Sequence, residues 1–261
     1  VIEKMPVHEG EQMTVEDSEA EVVPVFQNIM DSFRGEAPSF PDAGFQLPAW
    51  YGDVVFVGGP GLTSAGETSA TRVRLEPGTY VVECYVKTAD GTFHSTNGMI
   101  EGLTVTEGGN SAGPRPTPSA RVTVSQEDGI EVFGQIHRPG THTVEVEFDD
   151  QTVYSHFLGH DVHLVRLDPD TDVGELGAWM NWAVPGSLAS PQPDGVTFVG
   201  GVQDMPGGST AYLRTFLRPG DYAWIAEVPD PAARGMLVEF SVPGVDLPRR
   251  GGGSGPVAGG R

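Results

Sequence analysis

Arg72-Val73-Arg74-Leu75-Glu76-Pro77-Gly78-Thr79-Tyr80 recurs 142 positions later in this chain as Arg214-Thr215-Phe216-Leu217-Arg218-Pro219-Gly220-Asp221-Tyr222. In both copies a Pro-Gly pair separates two runs in which apolar and polar residues alternate. Such a pair favours a tight turn, because Pro presets one backbone dihedral angle and Gly accepts the other. The segment therefore predicts a β-hairpin, and its recurrence predicts a duplicated strand unit.

The repeat extends to both sides of this segment. Upstream, Phe56-Val57-Gly58-Gly59 recurs as Phe198-Val199-Gly200-Gly201 with the same spacing. Downstream, Gly98-Met99 matches Gly235-Met236, so the loop before it is five residues longer in the first copy. With 36 Gly and 22 Pro in 261 residues, turn formers punctuate many short strands. The chain is predicted to be all-β.

A short helix is predicted ahead of each repeated block. Thr14 can cap a helix that runs through about Phe33, and Thr171 with Asp172 can cap one that runs through about Trp182. These helices would lie in connections between strands.

The second copy has an opening section that the first copy lacks. Alternating strands are predicted over residues 120–124, 130–135, 141–148 and 162–167, and the alignment places Val1 near Leu164. The first unit is thus expected to be incomplete at its N-terminal edge. Three explanations stay open: the sequence begins inside a longer polypeptide, the unit is naturally reduced, or a neighbouring chain supplies the strands.

These observations predict four segments. Residues 1–107 form the first unit, residues 108–118 form a Gly- and Pro-rich linker, and residues 119–245 form the second unit. Residues 246–261 are too polar and Gly-rich to bury a core, and they are expected to be disordered or bound to a partner.

Composition limits the possible functions. The formal net charge of −21 repels nucleic acid and anionic membrane surfaces, and no run of about 18 apolar residues could span a bilayer. The single cysteine, Cys84, excludes an internal disulfide. No nucleophile elbow, zinc-protease motif or phosphate-binding loop is present, so the chain is not expected to be an enzyme.

The pattern Pro77-Gly78-Thr79-Tyr80, Cys84, His94 and Gly98-Met99 resembles the C-terminal half of a cupredoxin, a Greek-key β-sandwich. The resemblance implies two cupredoxin-like units and an export to the periplasm or the extracellular space. In that family Cys, His and Met from this region bind type 1 copper. The second copy has Ala226 in place of the cysteine, and nine residues separate Cys84 from His94, where the family usually has two to four. A degenerate site is expected, without copper or any other cofactor, and Cys84, His94 and Met99 are its metal candidates.

Two other groups of side chains stand out. His156, His160 and His163 lie within eight residues, and the spacing favours surface or turn histidines held by hydrogen bonds over a metal site. The first copy has a longer connection that contains four aromatic residues, which we expect to contact a partner: Phe40, Phe45, Trp50 and Tyr51.

Three hypotheses follow for function. The first is a non-catalytic extracytoplasmic subunit that docks on a larger protein complex, because tandem modules of this kind are similar to accessory subunits of bacterial electron-transport complexes, including photosynthetic reaction centres. The second is a type 1 copper electron carrier that uses Cys84, His94 and Met99. The third is a sandwich that binds a small ligand or carbohydrate through exposed aromatic side chains.

Overall fold

The computed structural model describes residues 1–35, 46–108, 113–154 and 157–244. Strands dominate these residues, as predicted: β1 (Ile2–Lys4), β2 (Val7–His8), β3 (Glu11–Gln12), β4 (Val55–Phe56), β5 (Ala70–Arg72), β6 (Gly78–Glu83), β7 (Ile100–Val105), β8 (Ala120–Ser125), β9 (Gly129–Gly134), β10 (Gly140–Phe148), β11 (Val162–Leu167), β12 (Val196–Val202), β13 (Ser209–Leu217), β14 (Gly220–Ile225) and β15 (Leu237–Val242). Helices are short: α1 (Val15–Asp17), a π turn (Ser18–Val22), α2 (Val23–Phe33), a 3-10 turn (Ala49–Asp53) and α3 (Val173–Trp179). The all-β fold class is confirmed.

Two four-stranded sheets have the same strand order. The first is β4-β1-β6-β7 and the second is β12-β11-β14-β15. Glu3 lies opposite Phe56 and Val81, and Val165 lies opposite the residues 142 positions later, Phe198 and Ala223. Strand β1 therefore takes the place of β11, with Ile2 matching Leu164, which is where the sequence alignment places the start of the chain.

A helical segment covers one face of each sheet, which we call the outer face. In the first repeat the helical run extends from Val15 to Phe33, as predicted, and the Asp17 carboxylate accepts hydrogen bonds from the Thr14 N–H at 2.8 Å and hydroxyl at 2.9 Å. In the second repeat the predicted cap is confirmed for Asp172 and wrong for Thr171. The Asp172 carboxylate, not Thr171, caps α3 by accepting from the N–H groups of the next turn, and α3 ends at Trp179.

The inner face of the second sheet packs on a five-stranded sheet with the order β5-β13-β10-β8-β9. The opening strands predicted for the second repeat supply β8, β9 and β10. Between the two sheets lies the largest core, which includes Val122, Phe148, Leu164 and Trp224, each 0% exposed. Apolar alternation along these strands accounts for this sandwich.

Strand β5 of the first repeat pairs with its own counterpart, β13. Thr71 lies opposite Leu213, the residue 142 positions later, so a local twofold axis relates the two repeats. The same axis relates the hydrogen bonds Gly58 N–H to Asp204 O at 2.9 Å and Gly200 N–H to Leu62 O at 3.1 Å. The close approach of the two repeats beside this axis requires glycine, because a Cβ on Gly61 would lie 2.5 Å from Gly201 Cα.

Part of the predicted organisation lies outside the described residues. This applies to residues 109–112 of the linker and to the tail after residue 244. The boundaries of the units stay a prediction.

Candidate functional site: an acidic cavity between the repeats

The structure brings the three copper candidates into one region. Cys84 Sγ lies 3.4 Å from His94 Nδ1, and the Cys84 N–H donates to Met99 O at 3.0 Å. The Met99 side chain, however, is 55% exposed. Burial raises the pKa of the Cys84 thiol, which keeps it protonated.

These residues do not fit a type 1 copper ion. That ion needs two imidazoles and a thiolate. Within the described ranges, Cys84 and His94 have no third His, Cys, Asp or Glu ligand atom that converges with them within 4.8 Å. In the second repeat, the fully buried Ala226 offers no sulfur ligand.

His160 and His163 are held by hydrogen bonds, as expected, but the expectation of surface positions was wrong for both. His160 and His163 are both 0% exposed. His160 Nε2 lies 3.1 Å from the Tyr154 hydroxyl, and burial lowers the pKa of His160. His156 lies outside the described residues.

Two of the aromatic contact candidates are buried as well. Trp50 is 4% exposed and donates from Nε1 to Glu21 at 3.0 Å, and Tyr51 is 8% exposed. Buried rings add no exposed contact area to this chain. Phe40 and Phe45 lie outside the described residues, so a partner contact there stays a prediction.

A cavity of about 90 Å³ lies between the two repeats. The outer face of the first sheet and α2 form one side, and loops of the second repeat form the other. Five acidic side chains line it: Glu3, Glu83, Asp161, Asp204 and Glu227. Seven aromatic side chains also line it: Phe26, Tyr51, Phe56, Tyr85, Phe93, Phe157 and Trp182.

Asp161 holds the floor of the cavity together. One of its carboxylate oxygens accepts the Glu227 N–H at 2.6 Å, and the other lies 2.6 Å from His163 Nε2. His163 Nδ1 accepts the Leu62 N–H at 3.0 Å. Since that backbone group can only donate, Nε2 carries the ring proton and donates to Asp161.

This tautomer limits what the group can bind. Asp161, His163 and Glu227 place ligand atoms within 4.8 Å of one another, which is metal-like spacing. Both ring nitrogens of His163 are nevertheless engaged, so a metal at Nε2 would have to displace the ring proton. The group is better explained as a hydrogen-bonded brace.

The other carboxylates have few donors. Glu227 lies 2.9 Å from the Tyr85 hydroxyl and accepts the Trp182 N–H at 3.3 Å. Glu3 is 3% exposed, and in the described parts of the chain its carboxylate interacts only with the neighbouring carboxyl group of Glu83 and with more distant charges. Strand spacing explains its position, because Glu3 and Glu83 share the outer face with Val81.

Burial shifts the protonation of these acids. Burial, and then the charge of Glu83, raises the pKa of Glu3 well above its usual value. Burial, and then the charge of Asp161, raises the pKa of Glu227 well above its usual value. The same two causes raise the pKa of Asp204 to about 7. Burial therefore favours the uncharged forms of these acids more than solvent would.

Two cationic groups lie near the cavity, and both are engaged by carbonyl oxygens. The Val1 amino group donates to Glu83 O at 2.8 Å. Lys87 Nζ donates to Trp182 O at 2.7 Å and to Val184 O at 3.3 Å, and burial lowers its pKa to about 8. The arginine ion pairs between described residues involve Glu67, Glu76 and Glu147, which do not line the cavity.

The sequence did not single out these five acids. They are separated by up to 224 residues, from Glu3 to Glu227, and paired carboxylates abound in so acidic a chain. One signal was present in the sequence. Glu83 follows the buried Val81 by two residues, so both lie on the same face of the strand, and an apolar residue is expected at position 83.

Comparison with solved structures finds two auracyanins and an azurin. Auracyanin B is 19% identical, with 49% of this chain and 91% of that chain covered and a TM-score of 0.30. An auracyanin from the photosynthetic bacterium Roseiflexus castenholzii is 14% identical, with 46% and 93% covered and a TM-score of 0.29. An azurin from the obligate methylotroph Methylomonas sp. strain J is 14% identical, with 47% and 94% covered and a TM-score of 0.30. At these identities the likeness concerns the fold alone.

Neither a family model nor a curated protein matches the chain. Among the described residues, no helix is long and apolar enough to cross a membrane.

Proposed function

We propose that this chain is a non-catalytic interaction subunit that docks on a larger extracytoplasmic protein assembly through the inner face of its first sheet. The host we propose is an electron-transport complex of the kind that includes photosynthetic reaction centres. The observation that carries the docking role is a comparison between equivalent positions of the two repeats.

The inner face of the first sheet is partly exposed, whereas its counterpart is buried. Met99 is 55% exposed and its equivalent Met236 is 0% exposed. Leu103 and Val55, on the same face as Met99, are 39% and 41% exposed. Glu101 lies between Met99 and Leu103 on this face, so the exposed apolar side chains belong to a mixed surface, which we interpret as an interaction surface.

The second repeat shows what kind of structure fits this face. There, β10 pairs antiparallel with β13 along nine residues and brings the covering sheet with it. The twofold axis makes the free edge of β5 equivalent to the edge of β13 that β10 occupies. The partner we propose is a protein that adds an antiparallel strand to β5 and places apolar side chains over Leu103. Basic residues at its rim would complement the net charge of −21.

Site chemistry supports a non-catalytic role. Cys84 and His94 form a thiol–imidazole pair, but an active nucleophile needs a lowered pKa, and burial raises the pKa of this thiol. The buried acids brace the joint between the repeats or lack a reacting partner on the described part of the chain.

Leu103→Asp tests the docking role. The chain is expressed in its native host, the assemblies are extracted under mild conditions, and the fraction of chain that sediments with a larger complex is measured. We expect the wild-type chain to sediment in fixed stoichiometry with defined subunits and the variant to be released, because a carboxylate on this face would be desolvated without a partner. The absorption spectrum of the complex identifies a pigment- or haem-containing host.

Phe133→Asp is the matched control. Phe133 is 42% exposed on β9, away from the proposed surface, so this variant should stay bound. Sedimentation of the wild-type chain as a free monomer in native extracts would contradict the proposal. So would equal release of both variants.

A further inference from the structure

We propose that the acidic cavity between the repeats binds a small primary ammonium ion, an aliphatic amine or diamine of about four to six non-hydrogen atoms. This site is separate from the proposed docking face, since the cavity lies on the outer side of the first sheet.

The first argument is that carboxyl groups outnumber cationic groups around the cavity. Five carboxyl groups line one small cavity, and the nearby Lys87 Nζ is held by two backbone carbonyls. Glu3 shows the deficit most clearly. It is 97% buried (3% exposed) and lines the cavity, and among the described residues its carboxyl group hydrogen-bonds to the carboxyl group of Glu83 and to no N–H donor. Buried carboxylates of this kind need hydrogen-bond donors.

The second argument concerns the walls. Rings of Phe26, Tyr51 and Trp182 pack edge to face beside the acids, with centroid distances of 5.8 Å and 5.6 Å from Phe26 to the other two. Aromatic walls attract ammonium groups through their ring electrons and accommodate an alkyl stem. A primary ammonium also carries three N–H donors, which is what the acids lack.

The walls and the histidine argue against a metal ion as the occupant. Hard divalent cations require six to eight converging oxygen ligands. In the described residues the converging set is Asp161, Glu227 and His163, and the imidazole is already used by Leu62 and Asp161. Apolar walls cannot complete such a coordination shell.

The size of the cavity limits the ligand. A cavity of about 150 Å³ holds benzene, which has six carbon atoms. At about 90 Å³, this cavity suits a molecule of the size of propylamine or 1,3-diaminopropane. Since both repeats contribute walls, an occupant would also stabilise the joint between them.

Binding should release protons. An incoming ammonium group favours the ionised forms of Glu3, Glu83, Asp204 and Glu227, whose pKa values burial raises in the empty protein. Asp161, His163, Tyr51, Tyr85, Lys87 and the Val1 amino group are the other titratable groups around the cavity. Affinity should therefore rise as the pH rises through about 7, the pKa of Asp204.

Calorimetric titration of the full chain tests the proposal. The probes are propylamine, 1,3-diaminopropane and tetramethylammonium, which carries the charge without N–H donors, together with Ca²⁺ and Mn²⁺. We expect one amine per chain and an affinity at least tenfold above that for tetramethylammonium. Repeating the titration in buffers of different ionisation enthalpy measures proton release.

Glu3→Gln and Asp204→Asn should each weaken amine binding about 10- to 100-fold, as expected for the loss of a charge-assisted hydrogen bond. Glu131→Gln, which changes an exposed acid on β9, is the matched control and should bind like the wild-type chain. If Glu3→Gln fails to fold, Asp204→Asn and the proton release of the wild-type chain decide the question.

Three results would overturn the proposal. Saturation by Ca²⁺ or Mn²⁺ but not by amines, with loss in the Glu3 or Asp204 variant, would make the cavity a metal site. Amine binding of equal strength in all variants would be nonspecific attraction to an acidic surface. No amine binding at millimolar concentration would mean that the acids only store protons.

Discussion

Equivalent methionines of the two repeats offer a direct test of the partly exposed inner face. Met236 and Met99 occupy the same position after the same glycine, and each is changed to alanine. The two variants remove the same atoms, so any difference in stability reports the environment of the side chain.

The structure sets the expected magnitudes. Met236 is 0% exposed and belongs to the sandwich core, so truncation removes buried area and leaves a cavity, at a cost of about 2–5 kcal/mol in the free energy of unfolding. Met99 is 55% exposed, so its truncation should cost less than about 0.5 kcal/mol.

Urea unfolding measures the difference. Tryptophan fluorescence, to which the fully buried Trp224 contributes, reports the sandwich core of the second repeat. Far-ultraviolet circular dichroism reports the strands. With a urea dependence of about 3 kcal/mol per molar, the Met236→Ala midpoint should fall by about 1 M and the Met99→Ala midpoint should stay within about 0.2 M of the wild type.

One result would refute the reasoning. Losses of equal size in both variants would show that Met99 is buried in the free chain, and the partly exposed inner face would then not exist. A small loss in Met99→Ala, together with weaker docking on the host complex, would support it.

Three further variants test the joint, the cavity and a helix cap. Gly61→Ala should cost at least about 2 kcal/mol in urea unfolding, because the added Cβ would lie 2.5 Å from Gly201 Cα; an unchanged midpoint would contradict the close approach. In the wild type, burial raises the pKa of Asp204 to about 7, so the free energy of unfolding should fall as the pH rises from about 4 through 7. Asp204→Asn should remove this fall, which amounts to up to about 4 kcal/mol above pH 7. Identical pH profiles of unfolding for the two proteins would argue against a buried acid at this position. Asp172→Ala should cost about 1 kcal/mol through loss of the α3 cap, whereas Thr171→Val should leave the cap intact, and the reverse order of melting temperatures would restore Thr171 as the cap.

Local sequence features predicted the strand framework well. The Pro-Gly turns fix where β6 and β14 begin, and both strands start at the glycine of the pair, Gly78 and Gly220. Turn dihedral angles and apolar alternation depend on neighbouring residues only, so they can be inferred from the chain itself.

Predictions that required knowledge of distant partners failed. Thr171 was expected to cap α3, but its hydroxyl donates to the carbonyl oxygens of Asp168 and Gly195 instead. His163 was expected at the surface, yet a backbone N–H from the other repeat, at Leu62, holds it in a buried position. In each case a long-range contact decided between two local possibilities.

The sequence by itself determined that this chain contains two strand units of one kind, because periodicity and turn chemistry are written in short segments. Only the tertiary structure decided that the units meet about a local twofold axis and enclose Glu3, Asp161 and Asp204 in one cavity. Charge burial depends on which surfaces pack together, and that packing joins residues from both ends of the chain.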